Sequence, residues 1–119
     1  YVVKCSEYLL EKLGKDMIKG ITVTSPGFYG PQGRTLRLAL KYPGINKLIE
    51  SFKFEGYKIT NFEMETSAFY ALGKMLGHHT ITICAAIANR ISGEFNENYK
   101  EVMDRYIVEL LDKLASEDI

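Results

Sequence analysis

The sequence lacks a charge excess of either sign: fifteen basic residues balance fifteen acidic ones over 119 positions. No long-range field draws such a chain towards nucleic acid or an anionic membrane, so neither is expected as a partner. Cysteine is scarce. Cys5 and Cys84 stand far apart and form no CxxC pair, which leaves no metal or redox motif and makes reduced, buried thiols the expectation. No apolar run approaches the roughly 18 to 20 residues of a spanning helix, and no basic start with an apolar run marks a signal peptide. Internal repeats and low-complexity linkers are missing too. These absences describe a cytoplasmic protein.

What is present is ordinary for a soluble globular chain, with 46% apolar and 25% charged residues. That length suits one domain folded around its own buried core. The chain opens at Tyr1 without a methionine and enters an apolar, helix-like segment almost at once, the form expected of a cut piece.

Cys5, Leu9, Leu10 and Leu13 recur at three- and four-residue intervals, which predicts an amphipathic helix over 2–13 that stops at Gly14. The β-branched run Ile21 to Ser25 reads as a strand entering a turn at Pro26-Gly27. A glycine- and proline-rich loop, 26–34, follows. A short helix is predicted over 45–54, a strand over 57–64, and a helix running to Leu76 with Thr66 or Ser67 as its cap and Gly77 as its end. The apolar run Thr80 to Ala88 has the composition of a strand covered on both faces in a parallel sheet. Val102, Met103, Tyr106, Ile107, Leu110, Leu111 and Leu114 keep the helical period over a long terminal helix. Alternation of helix and strand predicts an α/β layered fold with ligands at the carboxyl ends of strands.

Three groups have chemistry to offer. The loop Phe28-Tyr29-Gly30-Pro31-Gln32-Gly33-Arg34 combines an aromatic face, an amide and a guanidinium fork, a set that suits a flat polar heterocycle. Taken alone it suits a surface turn with a half-buried Phe better. At the end of the predicted strand, alternation turns Glu63 and Glu65 to one side and Met64 to the other. Two such carboxylates would satisfy the vicinal hydroxyls of a sugar, or would simply favour the start of a helix. Asn89-Arg90 stands where the apolar strand runs out, a ligand-facing position in open α/β sheets or a plain solvated strand end. His78-His79 follows Gly77 in a turn, has no metal-ligand spacing around it and is assigned no function. No metal site is expected.

Together these segments resemble the nucleoside phosphorylase family, which contains uridine phosphorylases, purine nucleoside phosphorylases and related nucleosidases. Phe28 to Arg34 resembles the FYxxQxR loop of the uridine-cleaving branch. Asn61-Phe62-Glu63-Met64-Glu65-Thr66-Ser67 resembles the NYEMES signature, and Ile87-Ala88-Asn89-Arg90 resembles the IVNR strand end. Order and approximate spacing agree over nearly the whole chain, and they match the second half of the family.

The resemblance implies a three-layer α/β/α phosphorylase/hydrolase-like fold, with 1–119 forming the carboxy-terminal half of a single nucleoside phosphorylase domain. It implies that Phe28 packs beside base and sugar, that Gln32 and Arg34 read the uracil edge, and that Arg90 sits behind that edge. Glu63, Met64 and Glu65 would line the ribose, with Glu65 the partner of its hydroxyls. Purine-cleaving members carry an aspartate where this chain has Asn89, a departure that favours a pyrimidine over a purine phosphorylase or nucleosidase. The resemblance further implies a pentosyltransferase of nucleoside salvage that needs no cofactor and uses inorganic phosphate as co-substrate. Its partners would be nucleoside, phosphate, the amino-terminal half of the same enzyme and further copies, in a dimer or a hexamer built of dimers. An exposed sheet edge is expected where that other half is lacking. A non-enzymatic binding or assembly module built on the terminal helix is the alternative of a different class.

Overall fold

The computed structural model describes residues 1–89 and 92–116. Helix α1, Glu7–Leu13, begins at Ser6, whose side chain accepts from the Leu9 N–H at 3.3 Å. Glu7 in its first turn and Lys12 in its last suit the helix dipole. The helix is shorter than the apolar period predicts. The Ser6 cap ends it, and the Ser6 N–H is committed to Thr80 O at 2.8 Å, which holds residues 1–5 out of the helix.

Strand β1, Ile21–Thr24, pairs in parallel with the longer strand β3, Tyr57–Glu63. A register shift after Ile21 sets Thr22 beside Asn61, Val23 beside Phe62 and Thr24 beside Glu63. Between them lie helix α2, Ile45–Ser51, and strand β2, Lys53–Phe54, which pairs antiparallel with β3. The sheet order is therefore β1-β3-β2. The helix predicted over 45–54 stops early because Glu55 and Gly56 take φ of 49° and 84°. Two consecutive positive φ values make the two-residue hairpin turn that matches strand twist, and it returns Lys53 and Phe54 onto β3.

Helix α3, Thr66–Met75, follows β3 directly, with Glu65 rather than Thr66 or Ser67 at the capping position. At its far end Gly77 sits at φ +76, His78 N–H bonds Gly73 O at 2.8 Å and Gly77 N–H bonds Lys74 O at 3.4 Å. That is the Schellman ending, for which a left-handed glycine is the natural residue. Helix α4, Tyr99–Ser116, lies against α1.

Two expectations change. Residues 80–88 form no ladder among the described residues. Apart from a single bridge between Ala88 and Phe95, the run is held by Thr80 O to Ser6, by the Thr82 N–H to the Tyr70 hydroxyl at 2.8 Å, and by Ile87 O to Asn96. A buried strand needs neighbours along its edges, and the described chain offers this run only the bridge at its end.

The second change concerns the core. Leu13 is the one apolar residue buried among those described, and no residue of α4 is buried. The accessible surface is 9480 Å², against about 6500 Å² for a closed monomer of this mass. The radius of gyration is 16.0 Å, against about 13.5 Å for a compact domain of this length. The apolar stripe of α4 is intact, but Ile107, Val108 and Leu111 remain about half exposed. The secondary structure is in place without a closed core of its own.

Candidate functional site

Because β1 and β3 run parallel, both end at one edge of the sheet. The Ser25 N–H donates to Glu63 O at 2.9 Å, so the loop after β1 and the corner after β3 leave the sheet side by side. Phe28, Gln32 and Arg34 stand on the first of these, and Met64 and Glu65 on the second.

The loop is folded tightly. Gly30–Gln32 makes a single 3-10 turn, closed by Gln32 N–H and Arg34 N–H to Tyr29 O at 3.0 and 2.9 Å. Gly33 sits at φ +72, and a Cβ there would run into the Asn46 carboxamide. This geometry brings the Arg34 guanidinium over the Phe28 ring, 3.8 Å from its centroid. Nη1 of Arg34 donates to Phe28 O at 2.5 Å and to Gln32 Oε1 at 2.7 Å. Gln32 is 3% exposed, whereas Phe28 is 52% exposed and meets Tyr29 edge to face at 5.3 Å. Arg34 is thus held flat on an open aromatic face by a buried amide and a carbonyl, a donor fork fixed before any ligand arrives.

The acidic corner is less symmetric than strand alternation suggests. Glu63 Oε1 accepts from the Thr24 hydroxyl, and Oε2 accepts the N–H groups of Glu65 and Thr66, both at 2.6 Å. The Thr24 hydroxyl oxygen in turn accepts the Ser67 N–H at 2.9 Å. Partial burial pushes the Glu63 carboxyl up, but the bonds from Thr24 and from the two backbone N–H groups outweigh it and hold the group below its ordinary value. Glu65 stands at the cap of α3 with φ −129° and ψ −26°, outside the strand, and its exposed carboxylate has no partner among the described residues. Met64 is 40% exposed beside it.

A carboxyl group held low in the folded state stabilises it above the unfolded pKa, and that stability is lost as pH falls through the folded value. Urea denaturation midpoints are therefore expected to show no contribution from Glu63 to pH dependence between pH 7 and 5, and to fall below the ordinary carboxyl value of 4.5. Glu63→Gln should lower the midpoint at pH 7 and flatten that acid limb. An unchanged acid limb would contradict the assignment.

The other candidates are spread out. The Asn89 carboxamide accepts the Ser92 N–H at 3.3 Å, and its backbone N–H bonds Glu94 O at 2.9 Å. Arg90 lies outside the described residues. His79 Nδ1 meets the Ser6 hydroxyl at 2.8 Å and its ring lies 5.2 Å from Tyr8. Cys84 is exposed and Cys5 half-buried, against the expectation of buried thiols, and partial desolvation of the Cys84 thiol, opposed by an Asn61 hydrogen bond and reinforced by Glu63, raises its pKa. An open cleft of about 530 Å³ is lined by Tyr29, Pro31 and Arg34 of the loop together with residues such as Leu36, Lys41 and Tyr42, and the acidic corner lies outside it. The sequence assigns Thr24 no role, and Ser67, expected as a cap, instead donates its N–H to the Thr24 hydroxyl oxygen. Nothing distinguishes Thr24 from the other β-branched residues of its strand until the register with Glu63 is known.

The polar groups thus gather beyond the carboxyl ends of two parallel strands, the position at which open α/β sheets present ligand-binding side chains. The chain belongs to the phosphorylase superfamily, whose family model matches residues 2–115. A uridine phosphorylase of Thermococcus kodakarensis is 34% identical over 93 residues, covering 73% of this chain and 31% of that protein. The crystal structure of a nucleoside phosphorylase of Trypanosoma brucei, described as showing uridine phosphorylase activity, superposes with a TM-score of 0.84. That match covers 98% of this chain and 44% of the other at 24% identity, a likeness of fold. The chain spans less than half the length of either relative, and the mixed α/β fold is that of part of a nucleoside phosphorylase.

Proposed function

We propose that the chain, residues 1–119, is the carboxy-terminal half of a uridine phosphorylase, a pentosyltransferase that converts uridine and inorganic phosphate to uracil and ribose 1-phosphate. The observation that carries this reading is the Arg34 fork, fixed on Phe28 by Gln32, together with a neighbouring strand end where the Glu65 carboxylate has no partner among the described residues. In the reaction a phosphate oxygen attacks C1′ of the ribose and the C1′–N1 bond breaks. Its electron pair leaves with the base, which departs as a uracil anion and later takes a proton from water. An enzyme gains by aiming donors at the oxygens where that charge collects. Gln32 and Arg34 are those donors in this proposal. Phe28 packs on base and sugar, Glu65 accepts from the ribose hydroxyls, Met64 and Glu63 complete that wall, and Arg90 stands behind the base.

The reaction is a substitution at carbon without redox change, so it asks for no cofactor beyond phosphate as co-substrate. Phosphate-holding groups belong, in this reading, to the amino-terminal half and to a neighbouring subunit of a dimer or a hexamer of dimers. The surface in excess of a closed monomer supports such cover. No described helix is long and apolar enough to cross a membrane, and the proposed setting is cytoplasmic salvage of pyrimidine nucleosides. Asn89, which offers no acid to protonate a purine, weighs against a purine phosphorylase or nucleosidase.

The whole enzyme, assayed with uridine, inosine and adenosine with and without phosphate, is expected to release uracil only when phosphate is present and to act weakly on both purines. Cleavage that ignores phosphate, or a preference for inosine, would sink the proposal.

A further inference from the structure

The first N–H groups of a helix need acceptors, and the residue at the capping position usually provides one. Helix α3 departs from that arrangement. Glu65 occupies the capping position and makes no side-chain cap bond. Its own N–H and that of Thr66 go to Glu63 Oε2, and the Ser67 N–H goes to the Thr24 hydroxyl oxygen on the neighbouring strand. The Thr24 hydroxyl proton is directed back at Glu63 Oε1. Three successive backbone donors are therefore satisfied by a threonine–glutamate pair from the sheet, and the pair is closed on itself.

This has two effects. The carboxylate at the cap is released from the task a capping side chain normally performs, and among the described residues nothing else engages the Glu65 oxygens. The Met64-Glu65 corner is also pinned at both ends, by Glu63 before it and by the Thr66 and Ser67 N–H groups after it. The negative charge of Glu63 sits where the helix dipole favours it.

We infer that Thr24 and Glu63 form a latch that positions Glu65 for the sugar, making Thr24 a positioning residue for ribose recognition that the motif around Glu63 does not include. The inference rests on the proposed uridine-cleaving function. It goes beyond that proposal by dividing the two carboxylates into one that holds and one that binds, and by adding a residue from a different strand.

The test uses the whole enzyme and Thr24→Val, which keeps the shape and removes the hydroxyl. kcat/KM for uridine is expected to fall about tenfold, since displacing a ligand-facing group by a fraction of an ångström has costs of that order or more. Inhibition by free uracil, which lacks the sugar, should not change. Thr24→Ser should restore most of the loss. In a Glu65→Ala background, Thr24→Val should change kcat/KM by less than about twofold, because a residue acting only through Glu65 has nothing left to position. Losses that multiply, or a parallel weakening of uracil inhibition, would overturn the latch.

Amide hydrogen exchange supplies a readout independent of activity. Thr24→Val should speed exchange at Glu65, Thr66 and Ser67 well beyond the rest of α3, and unchanged protection there would also overturn it. An unmutated enzyme that fails to cleave uridine would count against the proposed function, while the exchange result would still decide for or against the latch.

Discussion

Arg34→Ala in the whole enzyme is expected to lower kcat for uridine phosphorolysis by about a hundredfold or more, the usual cost of losing one donor aimed at developing negative charge. The effect should fall on kcat more than on KM, because the base carries its extra charge only as the glycosidic bond breaks. Arg34 also has a local structural part, since Nη1 ties Phe28 O and Gln32 Oε1 together. Its removal takes that partner from an amide that is only 3% exposed, and a loss of stability is expected alongside the loss of rate. Arg34→Lys separates the two effects. Lysine keeps the positive charge but cannot hold two neighbours and face a ligand with one planar fork. It should recover stability more fully than rate. Rates of both variants near that of the unmutated enzyme, at matched folded fractions, would remove Arg34 from the chemistry.

Glu65→Ala should lower kcat/KM for uridine by roughly ten- to a hundredfold. A sheltered hydrogen bond to a carboxylate is worth about 1.5 to 3 kcal/mol, and each 1.4 kcal/mol is about tenfold. The loss should be confined to sugar recognition, so inhibition by uracil alone should survive. The folded state should suffer little, because the Glu65 carboxylate has no partner among the described residues and the cap of α3 is supplied by Glu63 and Thr24. Glu63→Ala makes the contrast. It strips the helix start of its acceptor and should cost stability as well as activity. If the two alanine variants behaved alike in thermal denaturation, the division of labour between the carboxylates would be wrong.

The elements that the sequence made legible are those whose cause is local. Gly14 ends α1, the β-branched run makes β1, Gly77 ends α3, and the apolar stripe of helical period makes α4. The candidate loop was legible for the same reason, since three glycines and two prolines over 26–34 dictate a folded turn around Phe28, Gln32 and Arg34. Misread segments turn on pairing rather than on periodicity. Lys53 and Phe54 follow a helical segment but fold back onto Lys58 and Tyr57 of β3 across a tight hairpin. Residues 80–88 have the composition of a central strand, yet no ladder forms among the described residues.

By itself the sequence determined α1, β1, α2, β3, α3 and α4 in their order, the family-like motifs, and the residue types gathered at the strand ends, because all of these follow from periodicity, turn chemistry and side-chain identity. Only the tertiary structure decided that Gln32 is buried against Arg34, that Glu63 is tied to Thr24 while Glu65 has no partner among the described residues, and that the described apolar faces find no common core. Each of those outcomes depends on which groups meet across the sheet, and the register of Thr24 with Glu63 joins residues that lie 39 positions apart in the chain.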